Sequence, residues 1–224
     1  MEHLQAELDS LRVELLQMFE LAHSQLSKAQ RALLENNKPV LKELEHTEKL
    51  VNAKELQIDS RCETILALFT PVAVDLRFVL SALKINMNLE RIGDLADGIG
   101  RTMSHSRGAF DEGFLNRADA RGAFAASFDM FRCLLTAFEN EDTLLAREVF
   151  GKDKKIDEIT ERAISTAEDF ARQNPENLSQ AIQLLSIIKM IERVGDHIKN
   201  IAEEIIFYSE ARVLKHGRAN NGPL

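Results

Sequence analysis

The chain has 224 residues, 45% of them apolar, and a formal net charge of −8 at pH 7. That length accommodates one large or two small domains with a sizeable core. The negative charge argues against nucleic acid as a main partner, because phosphate binding requires clustered Lys and Arg.

Cysteine usage and the start of the chain indicate a compartment. Cys62 and Cys133 have no metal-ligand spacing and form no disulfide framework, so we expect reduced thiols. The first residues lack the basic and apolar stretches of a signal peptide, and no apolar run is long enough to span a bilayer. We therefore expect a cytoplasmic protein without a transmembrane segment.

Three long helices are predicted in the first half. Apolar residues recur at steps of three and four over residues 4–33, which is the spacing of one helix face. Residues 36–39 end this helix, and a second one with the same rhythm runs to Phe69. Thr70 as a cap and Pro71 at the first helical position predict a third helix, which reaches about Met103.

The second half repeats this organisation. Residues 104–116 contain two glycines and several charges, and they predict a linker. Helices are then expected over residues 114–138, 144–172 and 178–211, with Asn174 and Pro175 before the last. The prediction is an all-α protein of six long helices in two tandem three-helix bundles, residues 1–105 and 106–211. Residues 212–224 are polar, and we expect a disordered tail.

An internal repeat relates the two halves. When residues 83–99 are placed on residues 185–201, seven of the seventeen positions are identical, including the strings Glu-Arg-Ile-Gly-Asp and Glu-Arg-Val-Gly-Asp. The preceding helices also align, with residues 48–52 on residues 153–157. Gly93 and Gly195 lie inside predicted helices at equivalent places. Because glycine inside a helix is costly, this predicts close approach of a neighbouring helix.

Acidic residues continue the apolar rows of these helices. The row through Leu80 and Met87 leads into Glu90 and Asp94, and the row through Ile182 leads into Glu192. If the rows are buried seams, carboxylates there are costly unless a cation neutralises them. Carboxylates from two facing helices form an all-oxygen site suited to iron, manganese, magnesium or calcium. The alternative is a solvated acidic face on a metal-free scaffold.

A weaker alternative is a di-iron oxidase. Glu20 with His23, and Glu43 with His46, have the Glu-x-x-His spacing found in such bundles. Neither pair has a counterpart in the second half, where Phe128 stands at the place of His23. We therefore favour the duplicated acidic positions.

The two strings at residues 90–94 and 192–196, together with Pro-Val-Ala-Val-Asp-Leu-Arg at residues 71–77, resemble the PhoU family of phosphate transport regulators. The resemblance implies surface clusters of divalent or trivalent metal ions, iron foremost, with zinc, manganese, magnesium and calcium as alternatives. Asn52 stands where the family has an acid, so the first site carries less charge, and we expect it to bind weakly or to recruit Glu55 or Asp97. The metal-site positions implied by the resemblance are Glu48, Asn52, Glu90, Asp94, Asp153, Asp157, Glu192 and Asp196.

The resemblance also implies a role. It implies a non-enzymatic adaptor, peripheral to membrane complexes, that restrains phosphate uptake and represses phosphate-starvation signalling. The implied partners are the ATPase of a phosphate ABC transporter and the sensor histidine kinase of the phosphate regulon. A homodimer is expected as well, and the second metal site, with its full set of acids, is the one we expect to bind first.

Overall fold

The computed structural model describes residues 2–106 and 108–211, so the predicted tail at residues 212–224 lies outside the described part. The helices of the described residues are α1 (Glu2–Leu34), α2 (Val40–Phe69), α3 (Ala73–Ser104), α4 (Glu112–Arg117), α5 (Ala120–Asn140), α6 (Thr143–Lys152), α7 (Lys154–Gln173) and α8 (Leu178–Glu210). Helices α1 to α3 pack together, and α5 to α8 pack together. The predicted all-α architecture of two helical bundles is confirmed. No helix within this described part is long and apolar enough to cross a membrane.

Two predicted helix boundaries are wrong for local reasons. The expected fifth helix is split, because α6 ends and α7 begins at Asp153. Phe114 belongs to the short α4, and α5 starts only after Asp119, whose carboxylate accepts a hydrogen bond from the Gly122 N–H at 3.1 Å. Such a side-chain cap satisfies an N–H that the first helical turn leaves free.

The turn between α2 and α3 also differs from the prediction. Thr70 has a φ of 43° and ends α2 in the left-handed conformation, so it does not cap α3. Helix α3 begins at Ala73, after Val72 in extended conformation. The preference of proline for a helix start is met more nearly in the second half, where Pro175 opens a single 3-10 turn that leads directly into α8.

Helices α3 and α8 join the two bundles. Lys84 donates a hydrogen bond to Glu204 at 2.9 Å, and farther along α3 the Asn88 Oδ1 lies 2.9 Å from Nδ1 of His197. The contacted residue on α8 falls in number as the residue on α3 rises, so the helices are antiparallel. Buried apolar residues of both bundles form one continuous core.

The rows that lead into the acids are not buried seams. Leu80 and Met87 are 40% and 49% exposed, and Leu178 and Ile182 in the equivalent row of α8 are 51% and 62% exposed. The buried face of α3 is the neighbouring row, which includes Gly93. The acidic positions therefore lie at the edge of the helix packing, where some carboxylates are shielded and others reach water.

Candidate functional site

The first acidic cluster consists of Glu55 on α2 with Glu90 and Asp94 on α3. The Glu90 side chain is only 14% exposed. Burial, followed by the charges of Asp94 and Glu55, raises the pKa of Glu90 to about 7, although Arg91 opposes the rise. Burial and the neighbouring acids, among them Asp94, likewise raise the pKa of Glu55. These three carboxylates therefore lie close enough to repel one another.

Neutralisation of this cluster is incomplete. Arg91 donates a hydrogen bond to Asp94 Oδ2 at 3.0 Å, and its Nε lies 3.5 Å from Glu90 Oε2. Glu90 Oε2 is buried and accepts no hydrogen bond. A buried carboxylate oxygen without a donor is costly unless it is protonated or meets a cation.

Glu48, a predicted ligand of the first site, makes a hydrogen bond to α1. Its Oε2 accepts a hydrogen bond from Nε2 of Gln25 on α1 at 2.5 Å. The acid of α2 that raises the pKa of Glu90 is Glu55. Asn52 is exposed. Glu55 shares a helix row with Val51 and Ile58, and it is one of the two acids expected to compensate for Asn52 at the first site.

Gly93 is explained by Gln25. A Cβ at Gly93 would lie 2.5 Å from Gln25 Oε1 and 3.3 Å from a methyl of Val51. Gln25 is fully buried, and its Oε1 accepts no hydrogen bond. The predicted close approach at this glycine is confirmed, and the group that approaches is an amide that reaches across to Glu48.

The second acidic cluster consists of Asp153, Asp157, Glu192 and Asp196, the four residues predicted for this half. Burial, followed by the charges of Asp196 and Asp157, raises the pKa of Glu192, with Asp153 adding to the rise and Lys189 opposing it. Asp153 is buried at the junction of α6 and α7, whereas Asp157 and Asp196 are exposed. The structure therefore brings these four acids into one electrostatic neighbourhood.

Lys199 of α8 lies within the second cluster, although the acidic pattern of the sequence does not predict it. Its ammonium contacts Oδ2 of Asp153 and lies 2.9 Å from Oδ1 of Asp196. Burial raises the pKa of Asp153, and the hydrogen bond from Lys199 opposes this rise. The repeat alignment carried the signal, because it places Lys199 on Asp97 of the first half.

Gly195 has the same role in the second half that Gly93 has in the first. A Cβ at Gly195 would lie 2.9 Å from Asp153 Oδ1 and 3.3 Å from Ile156. The glycine thus lets the carboxylate of Asp153 approach the α8 backbone. The group over the glycine differs between the halves, since it is an amide from α1 in one and a carboxylate from the α6–α7 junction in the other.

The weaker sequence candidates have other surroundings. The His23 ring packs against Phe128 and Phe131, with centroids 5.2 and 5.4 Å away. Burial lowers the pKa of His23, and the charge of Arg132 contributes to the fall. Asp97 pairs with Arg101 on its own helix. The aromatic packing of His23 gives no support to a di-iron centre.

The two clusters differ in their fit to a metal ion. Within residues 2–106 and 108–211, no group of three His, Cys, Asp or Glu side chains is already arranged to hold one. The first cluster offers only carboxylate oxygens, one of them without a hydrogen-bond donor, and this is the ligand chemistry that hard cations prefer. Its residues fit a metal ion if the side chains close around it. The second cluster already holds the ammonium of Lys199 and fits a metal ion poorly.

Comparison with known proteins assigns the family. The model of the PhoU domain matches the chain twice, at residues 15–103 and 123–205. These two matches cover most of the chain and correspond to the two bundles. The chain therefore belongs to the PhoU domain family.

Similar proteins span nearly the whole chain. The phosphate-specific transport system accessory protein PhoU homolog of Pseudomonas putida is 31% identical over 94% of this chain and 82% of its own length. The PhoU accessory protein of Escherichia coli K12 is 30% identical, with 94% and 87% covered.

Solved structures agree with the fold. The crystal structure of PhoU from Pseudomonas aeruginosa has a TM-score of 0.87 at 30% identity and covers 93% of this chain and 99% of that one. The phosphate transport system regulatory protein PhoU from Streptococcus pneumoniae has a TM-score of 0.82 at 25% identity, with 95% and 100% covered.

Proposed function

We propose that this chain is a regulatory accessory protein of phosphate transport. It restrains phosphate uptake by binding the cytoplasmic ATPase of a phosphate ABC transporter, and it holds a sensor histidine kinase in its repressed state when phosphate is plentiful. It catalyses no reaction of its own. Support comes from relatives that are named accessory proteins of phosphate-specific transport and that cover nearly the whole chain.

The observation that carries the adaptor role is the exposed apolar row beside each acidic cluster. Leu80 and Met87 on α3, and Leu178 and Ile182 on α8, are large apolar side chains in contact with water. Apolar residues interleaved with charges are typical of surfaces that bind other proteins. The duplication of this row provides two such surfaces on one chain.

A genetic experiment tests the role. Deleting the gene should raise both phosphate uptake and the expression of a phosphate-starvation reporter in medium rich in phosphate. The wild-type gene supplied in trans should reverse both effects. Unchanged uptake and reporter expression after deletion would contradict the proposal.

A binding experiment tests the surface. The double variant L80E/M87E should lose co-purification with the transporter ATPase, because two charges disrupt an apolar contact. The matched control is L144E, which introduces the same residue at an exposed leucine of α6. Equal recovery of the ATPase with the double variant and with the control would remove α3 from the interface.

We propose further that the first acidic cluster binds a metal ion, with iron as the leading candidate and zinc, manganese, magnesium or calcium as alternatives. Glu90, Asp94 and Glu55 would hold the ion, with Glu48 able to join if its hydrogen bond to Gln25 opens. The ion would give Glu90 Oε2 a direct ligand contact, where the structure shows only the Arg91 guanidinium 3.5 Å away and no hydrogen-bond donor. Metal analysis of purified wild-type and E90Q protein tests this, and equal metal content in the two would favour a metal-free scaffold.

A homodimer is proposed on the family resemblance. Light scattering coupled to size-exclusion chromatography measures the mass in solution directly. A mass of one chain at micromolar concentration would exclude the dimer. This result would leave the adaptor role intact, because each chain carries both exposed rows.

A further inference from the structure

The two acidic clusters solve the same electrostatic problem in different ways. In the first, Glu90 Oε2 is buried without a hydrogen-bond donor. In the second, the buried acid Asp153 has an ammonium on one oxygen and the Gly195 backbone against the other. The first cluster therefore has room for a cation from outside, whereas the second already contains the ammonium of Lys199.

The contacts of Lys199 differ from those of an ordinary surface ion pair. The Asp153 side chain is 8% exposed and that of Lys199 is 26% exposed, and the same ammonium also lies 2.9 Å from Asp196. One cation thus bridges acids from two sides of the cluster. The contact with the exposed Asp196 contributes little, whereas loss of Lys199 would leave the buried carboxylate of Asp153 without a counter-charge, which is costly.

The first half has no lysine at the position equivalent to Lys199. The residue aligned with Lys199 is Asp97, which adds negative charge and pairs with Arg101. Over Gly93 lies Gln25, while the group from α5 near Gly195 is the methyl of Met130, 3.8 Å from the Cβ position. A thioether cannot donate a hydrogen bond to an acid. In the second half the charge of Lys199 therefore balances the buried carboxylate of Asp153. In the first half the neutral amide of Gln25 donates a hydrogen bond to Glu48.

We infer that Lys199 is a built-in cation that keeps metal ions out of the second acidic cluster, so that the two halves of this chain are not equivalent metal sites. This inference rests on the proposed binding of metal by the first cluster. A metal ion coordinated by Asp153 would lie about 2.0 to 2.6 Å from its oxygens. That places it against the ammonium, and two positive charges so close repel each other strongly.

The experiment counts manganese ions, because Mn²⁺ prefers oxygen ligands and free Mn²⁺ gives a paramagnetic resonance signal that binding suppresses. Wild type, E90Q, D153N, K199M and the control K189M are titrated with MnCl₂. Lys189 is an exposed lysine of the same helix that also lowers the pKa of Glu192, so K189M removes an equal charge without emptying the position between Asp153 and Asp196. We expect K199M to bind manganese that neither wild type nor K189M binds, and D153N in the K199M background to abolish this gain.

A reciprocal variant keeps the test informative if K199M folds poorly. D97K transfers the lysine to the equivalent place in the first half, and D97N removes the same carboxylate without adding an ammonium. We expect D97K to weaken manganese binding at the first cluster at least tenfold relative to D97N. Circular dichroism of both variants establishes that they are folded.

The outcomes separate the two claims. Manganese bound by wild type and lost equally in E90Q and D153N would show that the second cluster takes metal despite Lys199, and it would overturn the inference. Manganese lost only in E90Q, with no gain in folded K199M and no weakening in D97K, would overturn it as well. Binding by K199M alone would support the inference and contradict metal binding at the first cluster.

Discussion

The two acidic clusters occupy equivalent places in a duplicated fold, yet they differ in how their charge is balanced. The first leaves Glu90 Oε2 without a donor and has an arginine only at its rim. The second contains Lys199, which contacts Asp153 and Asp196. The repetition of the Glu-Arg-x-Gly-Asp string in both halves therefore does not make the two sites alike. One residue in a neighbouring turn of the helix, Lys199, gives the second cluster an ammonium that the first cluster lacks.

The largest expected effect comes from removing the internal cation. K199M leaves Asp153 buried without its partner, and we expect a loss of about 3 kcal/mol in the free energy of unfolding. Urea denaturation measures it. K189M, the control at an exposed lysine of the same helix, should stay within about 0.5 kcal/mol of wild type. If the two variants were equally stable, the contact of Lys199 with Asp153 would be irrelevant to the fold.

The second prediction concerns pH and the first cluster. The pKa of Glu90 rises from 4.5 to about 7 on folding, so the native state binds the extra proton and stability falls as pH increases between these values. In the presence of a chelator, wild type should lose about 2 kcal/mol relative to E90Q between pH 4.5 and 7. Denaturation at a series of pH values gives the difference. Parallel pH profiles for wild type and E90Q would contradict a raised pKa.

A third, smaller effect compares the two glycines. G195A pushes against Asp153, which Lys199 holds in place, and we expect it to cost about 1 to 2 kcal/mol. G93A pushes against the end of the flexible Gln25 side chain, whose Oε1 has no donor to lose. We expect G93A to change stability by less than about 1 kcal/mol, because the better helix propensity of Ala offsets part of the crowding. Thermal melts of both variants compare the two losses of stability. A larger loss in G93A than in G195A would show that Asp153 adapts to the added methyl more easily than Gln25 does.

The smallest predicted change is at Gln25 itself. Q25M installs the residue that the second half has at the equivalent place, loses one hydrogen bond to Glu48 and removes a buried carbonyl without a partner. These effects oppose each other, so the free energy of unfolding should change by less than about 1 kcal/mol. Urea denaturation tests this. A loss well beyond that range would mean that the hydrogen bond between Gln25 and Glu48 is central to the first bundle.

The sequence by itself determined the all-α fold class, the division into two helical bundles and the internal repeat. Apolar spacing over residues 4–33 predicted α1 nearly to its ends, because burying one helix face leaves a period that is legible without a structure. The glycines at 93 and 195 were correctly linked to close helix approach, since a glycine inside a helix is costly without a spatial reason. Glu192, Asp196 and Asp153 were indicated by acids at equivalent positions in the first half, whereas Asp157, which aligns with Asn52, was implied only by the family resemblance.

Tertiary structure decided the rest. The row through Leu80 and Met87 had the pattern of a core face, but the bundle buries the neighbouring row, because amphipathic spacing on a helix of 32 residues allows either face to turn inward. Contacts between distant residues, such as Gln25 with Glu48 and Lys199 with Asp153, depend on how helices cross and have no local signature. Charge balance within a cluster is therefore a property of packing, and only the packed chain distinguishes an acidic cluster with a carboxylate oxygen that has no donor from one that contains its own ammonium.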